Sequence, residues 1–306
     1  MNEPLIECVA NFSEGRDPVV IDALVRAVES VAGVLLLDRT QDPDHHRAVL
    51  TFGGAPSPVA EAAFRAVREA AARIDLNRHQ GAHPRIGAAD VVPFVPVEGV
   101  TLGECAELAA QTGERIWGEL GIPVYLYEAA ARRPGRRRLE VIRRGGFEAL
   151  RLEVGRDPDR RPDFGEAALH PTAGATVVGA RKFLIAFNVH LHPPDLEAAR
   201  AIARAVRASS GGLPHVKAIG LLLASRGLAQ VSMNLTDFEV TPVARVFEAI
   251  RSLASARGLR LASSEIIGLV PRRALEGSEA WLPTVENFRD DLVLETRLER
   301  LRGAAR

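Results

Sequence analysis

The sequence lacks most features of the specialised protein classes. Its 306 residues include only two cysteines, Cys8 and Cys105, which are too few for a disulfide framework and form no CxxC pair of the kind that binds zinc. No apolar run reaches the length of about 18 residues that spans a bilayer, and no basic segment followed by an apolar stretch opens the chain. We therefore expect a cytoplasmic protein with no membrane span and no secretory signal.

The chain also lacks an excess of either charge. Lys+Arg and Asp+Glu both total 39, so no overall basic field is available to attract nucleic acid or an acidic membrane. Any anionic ligand must be bound by a local cluster of basic residues. The hydrophobic content of 47% is ample for a packed core, and 306 residues fit one large domain or two ordinary ones.

The second half of the sequence alternates between strand and helix patterns. KFLIAFNVHL (182–191) is typical of a strand, DLEAARAIARAVR (195–207) repeats apolar residues at helical spacing, and HVKAIGLLLA and LAQVSMNL flank the turn SRG. The helical pattern PVARVFEAIRSLASARG then precedes the strand SSEIIGLV. The order βαββαβ is a split unit that packs two helices on one face of a four-stranded sheet.

The first half repeats this order, and both first strands carry an asparagine, Asn11 and Asn188. Its segments are LIECVAN, PVVIDALVRAVESVAG, VLLLD, HRAVLTFGG and PVAEAAFRAVREAAARID, extended by HPRIGAADVVPFVPV, a further helix and the strand IPVYLYE. We predict an α/β (α+β) fold of two related ferredoxin-like lobes. Each is expected to be a mixed sheet with helices packed on one face, and the ligand crevice is expected between the lobes.

The stretch between the two patterns is rich in Arg, Pro and Gly. ARRPGRRRLEVIRRGG and VGRDPDRRPDFGEAALHPTAG carry charge of both signs, which favours a linker region. We place the division between an N-terminal subdomain, residues 1–178, and a C-terminal subdomain, residues 179–306. The charged pattern ENFRDDLVLETRLERLRG predicts a surface helix at the end of the second subdomain.

The segment HQGAHPRIGAAD (79–90) is the first candidate for chemistry. His79 and His83 stand four apart, but Gly81 and Pro84 oppose a helix, and position 80 is Gln rather than the Glu of an HExxH zinc site. A histidine beside Arg85 in a glycine-bearing loop can instead act as a general acid and base, because imidazole titrates near neutrality. A purely structural hydrogen-bonding role stays open.

Other polar residues lie near predicted strand ends. In DPDHHRAVLTF, strand alternation places His45 and Arg47 on one face and His46 on the other, although a solvated turn is the alternative. Arg181 and Lys182 could hold carboxylates. His190 and His192 share one face of a strand, where a surface pair is favoured over a metal site. We expect no metal.

Seven segments, taken together and in order, resemble the glutamate formimidoyltransferase family over about residues 4–275. They are ECVANFSEGRD, DHHRAVLTF, RHQGAHPRIGAADVVPFVPV, PVYLYEAA, DFGEAALHPTAGATVVGARKFLIAFN, LAQVSMNLTDFEVT and SEIIGLVPRRAL. The resemblance implies transfer of the formimidoyl group from N-formimidoyl-L-glutamate to N5 of tetrahydrofolate, the co-substrate, in histidine degradation. It also implies two α/β subdomains with folate between them, usually in a homodimer.

Carried over to this chain, the family's catalytic histidine, which directly precedes Pro-Arg, falls on His83. The family's folate-contacting segment falls on Gly165, Glu166, Ala167, Ala168, Leu169, His170, Pro171, Thr172, Ala173 and Gly174. By inference from chemistry, Arg47 and Arg181 are expected to bind the carboxylates of the substrates. The further binding candidates are Asn11, His45 and Asn188.

Three departures from the family pattern bear on these expectations. The acidic residue that partners the histidine in animal members aligns with Thr40, so Asp42 or Asp44 could substitute, or the histidine could work without an acidic partner. The folate segment differs from the animal version except at its bounding glycines. The animal protein is fused to a cyclodeaminase domain that this sequence lacks, so we expect no further processing of 5-formimidoyltetrahydrofolate.

Three alternatives remain open at this point. The first is transfer of a formyl group between 5-formyltetrahydrofolate and glutamate, which the same binding residues would serve. The second is a non-catalytic folate-binding protein, against which His83 beside Arg85 argues. The third is metal-dependent hydrolysis through His79, His83 or the pair His190 and His192, which predicts sensitivity to a chelator.

Overall fold

Residues 4–81 and 83–304 are described by a computed structural model. The chain divides into two units, Met1–Arg181 and Lys182–Arg306. The predicted division after residue 178 lies inside the strand Thr176–Ala180, which belongs to the first unit. Among the described residues, no helix is both long enough and apolar enough to cross a membrane.

The first unit begins with the predicted βαββαβ order and continues beyond it. Its elements are β1 (Leu5–Phe12), α1 (Pro18–Glu29), β2 (Leu35–Asp42), β3 (Arg47–Gly54), α2 (Pro56–Arg73), β4 (Ala89–Glu98), α3 (Leu102–Leu120), β5 (Val124–Glu128), α4 (Leu139–Ile142), α5 (Gly146–Glu153) and β6 (Thr176–Ala180).

Local sequence signals account for the helix ends of this unit. The Asp17 side chain accepts a hydrogen bond from the backbone N–H of Val19 at 2.8 Å, and Pro18 follows it in the first turn of α1. Helix α3 starts with a capping box between Thr101 and Glu104 and ends at Gly121, whose left-handed conformation suits glycine. Asp17 and Thr101 thus set where the two helices begin, and Gly121 sets where α3 ends.

In the described part of the first unit, the strands form one sheet in the order β2-β3-β1-β4-β6-β5. β1 pairs antiparallel with β3 and β4, and β2 pairs antiparallel with β3, which is the ferredoxin-like arrangement. β6 lies parallel between β4 and β5. The prediction of a ferredoxin-like mixed sheet is therefore confirmed for this unit, whereas β6 was not predicted.

The predicted linker is wrong, because it folds as part of the first unit. Helices α4 and α5 cover the sheet face opposite α1, α2 and α3, and Ile142 and Leu150 pack there with Tyr125 and Tyr127. The prediction of helices on one face therefore holds only for the βαββαβ part. A segment this rich in arginine can be buried where guanidinium groups bind backbone carbonyls: Arg160 donates to Ile142 O at 3.1 Å and Arg144 O at 2.8 Å.

The second unit contains the same βαββαβ order once. Its elements are β7 (Ile185–His192), α6 (Leu196–Val206), β8 (Val216–Leu223), β9 (Leu228–Leu235), α7 (Val243–Ser255), β10 (Arg260–Ile267) and α8 (Leu294–Ala304). Helix α8 starts later than predicted, and Leu294 and Leu298 are buried. The many charged residues of ENFRDDLVLETRLERLRG had indicated a surface helix without a buried apolar face.

The second sheet has the strand order β10-β7-β9-β8, which is equivalent to β4-β1-β3-β2 of the first. All of its strand pairs are antiparallel, so the prediction of a mixed sheet is wrong for this unit. The parallel pairs of the first sheet are those made by β6, and the described second unit has no such added strand. Phe187, Val231, Ile202 and Phe247 form the core between this sheet and its helices.

Candidate active site

Three loops of the first unit meet beside the sheet: the β1–α1 loop, the β2–β3 turn and the connection from α2 to β4. Glycine permits this close approach. A Cβ atom at Gly15 would lie 2.5 Å from Arg47 N, and one at Gly81 would lie 2.4 Å from His45 O. Gly15 of ANFSEGRD and Gly81 of HQGAHPR thus let these two segments pack against the backbone of DPDHHR.

His83 lies in this cluster, on a non-helical loop, as its sequence predicts. Its side chain is half-buried, and its backbone N–H points to His45 O at 3.4 Å. The pKa of His83 is lowered to about 3, chiefly by burial and then by the charges of Arg47, Arg143, His45 and His79. The imidazole is therefore neutral at pH 7 and can accept a proton.

No carboxylate partners this imidazole among residues 4–81 and 83–304. Thr40 is exposed on β2, and the Asp42 carboxylate binds His45 Nδ1 at 2.6 Å and the backbone N–H groups of Asp44 and His45. Those bonds lower the pKa of Asp42 against the opposing effect of its partial burial. Asp42 thus orients His45, and His83 stands without an acidic partner.

His79 belongs to a separate, structural network. Its Nδ1 accepts a hydrogen bond from Arg85 Nε at 2.9 Å, and its Nε2 lies 2.9 Å from His46 O. Its ring stacks on His46 at 4.2 Å, and Arg85 forms a two-bond pair with Glu148 at 2.8 and 3.0 Å. Since both ring nitrogens are engaged, His79 is poorly placed to bind a metal with His83. It fixes the loop instead.

The predicted positions of His45, His46 and Arg47 need a correction. Both histidines lie in the β2–β3 turn rather than in the strand, and His46 has a positive φ of 52°. Strand alternation therefore does not decide which way they face. Arg47 opens β3, and its pKa is lowered by burial and by the charge of Arg143.

The predicted folate segment is hydrogen-bonded to the loop that carries His83. Thr172 O accepts from Leu76 N and Ala173 O accepts from Ala88 N, both at 2.9 Å, and Ala175 N donates to Ile86 O at 2.9 Å. Residues 165–168, by contrast, are exposed. The segment is thus hydrogen-bonded to the His83 loop at residues 172–173 and exposed to solvent at residues 165–168.

The remaining candidates of the first unit occupy less central positions. Asn11 is half-buried on β1, and its amide nitrogen donates to Val9 O at 3.2 Å. Arg181 follows β6, and its backbone N–H donates to Phe94 O at 3.1 Å. Its charge partly offsets the effect of burial on Tyr127, whose pKa is raised to about 12. Sequence reasoning missed Arg143, Asp90 and Tyr127, because two of them lie in strands and Arg143 lies in the supposed linker.

The second unit holds Asn188 and the two predicted surface histidines. Asn188 donates to Glu265 Oε1 at 2.8 Å. His190 is fully buried, so the surface assignment is wrong for it: its ring nitrogens bind Ser263 Oγ at 2.8 Å and Gln230 Oε1 at 3.1 Å. Lys182 is engaged with Asp237 at 2.8 Å and Glu239 at 3.0 Å, which makes it a poor carboxylate receptor.

In the described chain, one group of side chains has the composition of a metal site: His190, Glu265 and Glu286, with ligand atoms within 4.8 Å of one another. Both nitrogens of His190 already have protein partners, and Arg226 pairs with Glu286 at 2.8 Å. Hydrogen bonds and an ion pair thus satisfy these groups without a cation.

Comparison with known proteins agrees with the two-unit fold. The model of the formiminotransferase domain, N-terminal subdomain, matches residues 5–181, and that of the formiminotransferase domain matches residues 186–293. Two related ferredoxin-like units that match the two parts of the formiminotransferase domain define the class of protein. The chain belongs to the formiminotransferase family.

The similar proteins cover nearly the whole chain. Glutamate formimidoyltransferase of Streptococcus pyogenes serotype M1 is 45% identical over 93% of this chain and 95% of its own length. Glutamate formimidoyltransferase of Thermoplasma acidophilum is 42% identical over 97% of this chain and 98% of its own length. The formimidoyltransferase-cyclodeaminase of Sus scrofa is 47% identical over 93% of this chain but only 53% of its own length.

Proposed function

We propose that this chain is a glutamate formimidoyltransferase, which transfers the formimidoyl group of N-formimidoyl-L-glutamate to N5 of tetrahydrofolate and releases L-glutamate. The observation that carries the proposal is the similarity of the chain to formimidoyltransferases along its length, and it is supported by His83, a half-buried imidazole on a loop beside Arg47 and Arg143. It lies in a chain that matches formimidoyltransferases over nearly its whole length.

His83 acts first as a base and then as an acid. As N5 forms its bond to the formimidoyl carbon, the neutral imidazole accepts the N5 proton. The imidazolium then donates this proton to the glutamate nitrogen, whose bond to the carbon breaks. No net proton is gained or lost, and no metal or covalent nucleophile is needed. One such group contributes about 10² to 10⁴ in rate.

The basic residues position the substrates. Arg47 and Arg181 bind substrate carboxylates, which holds the two reactants in register. The segment Gly165–Gly174 contacts tetrahydrofolate: its exposed residues 165–168 are free to meet a ligand, while its bonds to the His83 loop fix the other half. Asn11, His45 and Asn188 are kept as further binding candidates.

The test is a turnover assay with N-formimidoyl-L-glutamate and tetrahydrofolate, comparing the wild type with His83→Asn. We expect His83→Asn to lower kcat by about 10² to 10⁴ and to leave tetrahydrofolate affinity within a few fold. The matched control is His215→Asn, because His215 is exposed in the second unit and its positive φ of 57° suits asparagine. Unchanged turnover in His83→Asn would remove this histidine from the mechanism.

The same assay separates the alternatives. A faster reaction with 5-formyltetrahydrofolate and glutamate would make the chain a formyl transferase, and binding without turnover of either pair would make it a folate-binding protein. Activity that survives a chelator would dispose of metal-dependent hydrolysis.

The assembly and location of the protein are also proposals. We place it in the cytoplasm as a homodimer, with the subdomain boundary moved from residue 178 to the division between Arg181 and Lys182. Mass measurement by light scattering during size-exclusion chromatography tests the dimer.

A further inference from the structure

Arg47 is a half-buried cation without a counter-ion among the described residues. No carboxylate of the described residues lies within ion-pair distance of its guanidinium, and its Nε is buried without a hydrogen-bond partner. Burial lowers the pKa of Arg47, the charge of Arg143 lowers it further, and the charges of Asp42 and Asp90 offset this only in part. A partly buried charge with a buried, unpaired donor atom is costly unless an anion joins it.

Arg143 lies directly after α4 and is held by Asp90. The Asp90 side chain is 2% exposed and pairs with the Arg143 guanidinium, which is 12% exposed. The other Asp90 oxygen accepts from Ile86 N at 2.7 Å, which fixes the carboxylate. Arg143 Nε is nonetheless buried without a partner among the described residues. Asp90 therefore orients Arg143 but leaves donor capacity unused.

The charges around His83 do not balance. Arg47 on β3 and Arg143 after α4 act on it, as do His45 of the β2–β3 turn and His79 of its own loop. Asp42 is bound to His45, Glu148 is bound to Arg85, and Asp90 is bound to Arg143. Of the two guanidinium groups, only that of Arg143 thus has a carboxylate within ion-pair distance among the described residues.

We propose that Arg143, oriented by Asp90, joins Arg47 in binding one carboxylate of formimidoylglutamate beside His83, and that this carboxylate makes His83 an effective base only when the substrate is bound. The inference rests on the proposed function and deepens it, since it names the anion receptor and ties it to proton transfer. Asp90 is a positioning residue in this scheme.

The physical reason is the pairing of charges. In the free protein two guanidinium charges disfavour the imidazolium, so His83 is a weak base. A bound carboxylate neutralises part of this field and raises the pKa of His83 towards the range in which general acid–base catalysis is most efficient. Binding of the substrate carboxylate therefore also makes His83 a stronger base.

The experiment is a pH titration of the His83 ring by NMR, assigned with His83→Asn, in the absence and presence of saturating L-glutamate, the reaction product. We expect L-glutamate to move the His83 titration upward by one pH unit or more in the wild type. In Arg143→Met the free His83 should titrate at higher pH than in the wild type, L-glutamate should bind at least about 10-fold more weakly, and its effect on the titration should be lost.

Arg143→Lys and Asp90→Asn keep the test decisive if Arg143→Met fails to fold. The lysine retains charge without the planar fork, so it should preserve the low titration of His83 but weaken L-glutamate. Asp90→Asn should change the pH profile of kcat/KM and raise KM more than it lowers kcat.

A His83 titration in the wild type that L-glutamate does not move would overturn the proposal, as would wild-type L-glutamate affinity in both Arg143 variants. These readouts need no turnover. A failure of the proposed function would appear instead as an absence of transfer in the wild type.

Discussion

The two units share the βαββαβ topology, and one connection within it differs strongly in length. In the first unit the second helix and the fourth strand of the βαββαβ order are joined by residues 74–88, which carry His79, His83 and Arg85. In the second unit the equivalent connection consists only of residues 256–259. The strands and helices are thus the common scaffold, and the proposed chemistry lies on a loop that only one of them extends.

One histidine from each unit, His190 and His83, shows the same contrast. His190 is fully enclosed and hydrogen-bonded on both nitrogens, whereas His83 is half-buried with no carboxylate partner in the described chain. A satisfied imidazole in a sheet contributes to stability, and an unsatisfied one on a loop is available for proton transfer. The comparison can be tested from both sides.

The largest effect is expected when the long connection is displaced. Gly81→Val introduces a Cβ 2.4 Å from His45 O, so the loop or the turn must move. A shift of about 1 Å can cost about 100-fold in rate, and we expect kcat/KM for formimidoyl transfer to fall by at least that much. The matched control is Gly118→Ala in α3, where an added Cβ meets nothing within 4 Å, and activity should stay at the wild-type level. If Gly81→Val were as active as Gly118→Ala, formimidoyl transfer would not depend on the geometry of the loop that carries His83.

The next effect concerns the second unit and is one of stability. His190→Ala leaves Ser263 and Gln230 without their imidazole partner in a buried site. We expect the free energy of unfolding to fall by about 1–3 kcal/mol in urea denaturation, whereas His83→Asn should cause no such loss at pH 7. Equal stabilities of the two variants would contradict the division into a structural and a functional histidine.

A smaller effect is expected from acid. His83 has a pKa near 6.5 in an unfolded chain and about 3 in the folded protein. Below pH 6.5 the unfolded state therefore binds a proton that the folded state does not, and stability falls as the pH is lowered towards 3. The slope is at most about 1.4 kcal/mol per pH unit. The difference in unfolding free energy between the wild type and His83→Asn, measured from pH 7.5 to 5, should show this fall; a constant difference would mean that His83 is not held neutral.

Much of the architecture could be predicted from the sequence, because strand and helix periodicity is strong in both repeats. Alternating apolar residues fixed β1 and β7, and the spacing of α6 and α7 predicted their buried faces. The choice of His83 came from the resemblance to the formimidoyltransferase family, whereas Gly81 and Pro84, which exclude a helix, predicted the polar loop that contains it. These signals are local and need no tertiary information.

The errors have different physical causes, and the first is that a segment can be buried by means other than apolar composition. The segment with Arg136 and Arg160 looked solvated, yet both side chains are buried, and Arg136 pairs with Asp163 at 2.5 Å. β6 is only five residues long, so its pattern was too short to distinguish from a loop. Arg143 could not be assigned to the site because its position depends on how that segment folds back onto β4, β5 and β6.

The bonds at Thr172 and Ala173 have one more consequence. The loop 77–87 contains the proposed catalytic histidine and is flanked by Leu76 and Ala88. The backbone N–H groups of these two residues donate to the adjacent carbonyls of Thr172 and Ala173. A movement of residues 172–173 would therefore act on both ends of the loop at once. Because residues 172–173 belong to the same segment as the exposed residues 165–168, these bonds connect the proposed folate segment directly to the loop that carries His83.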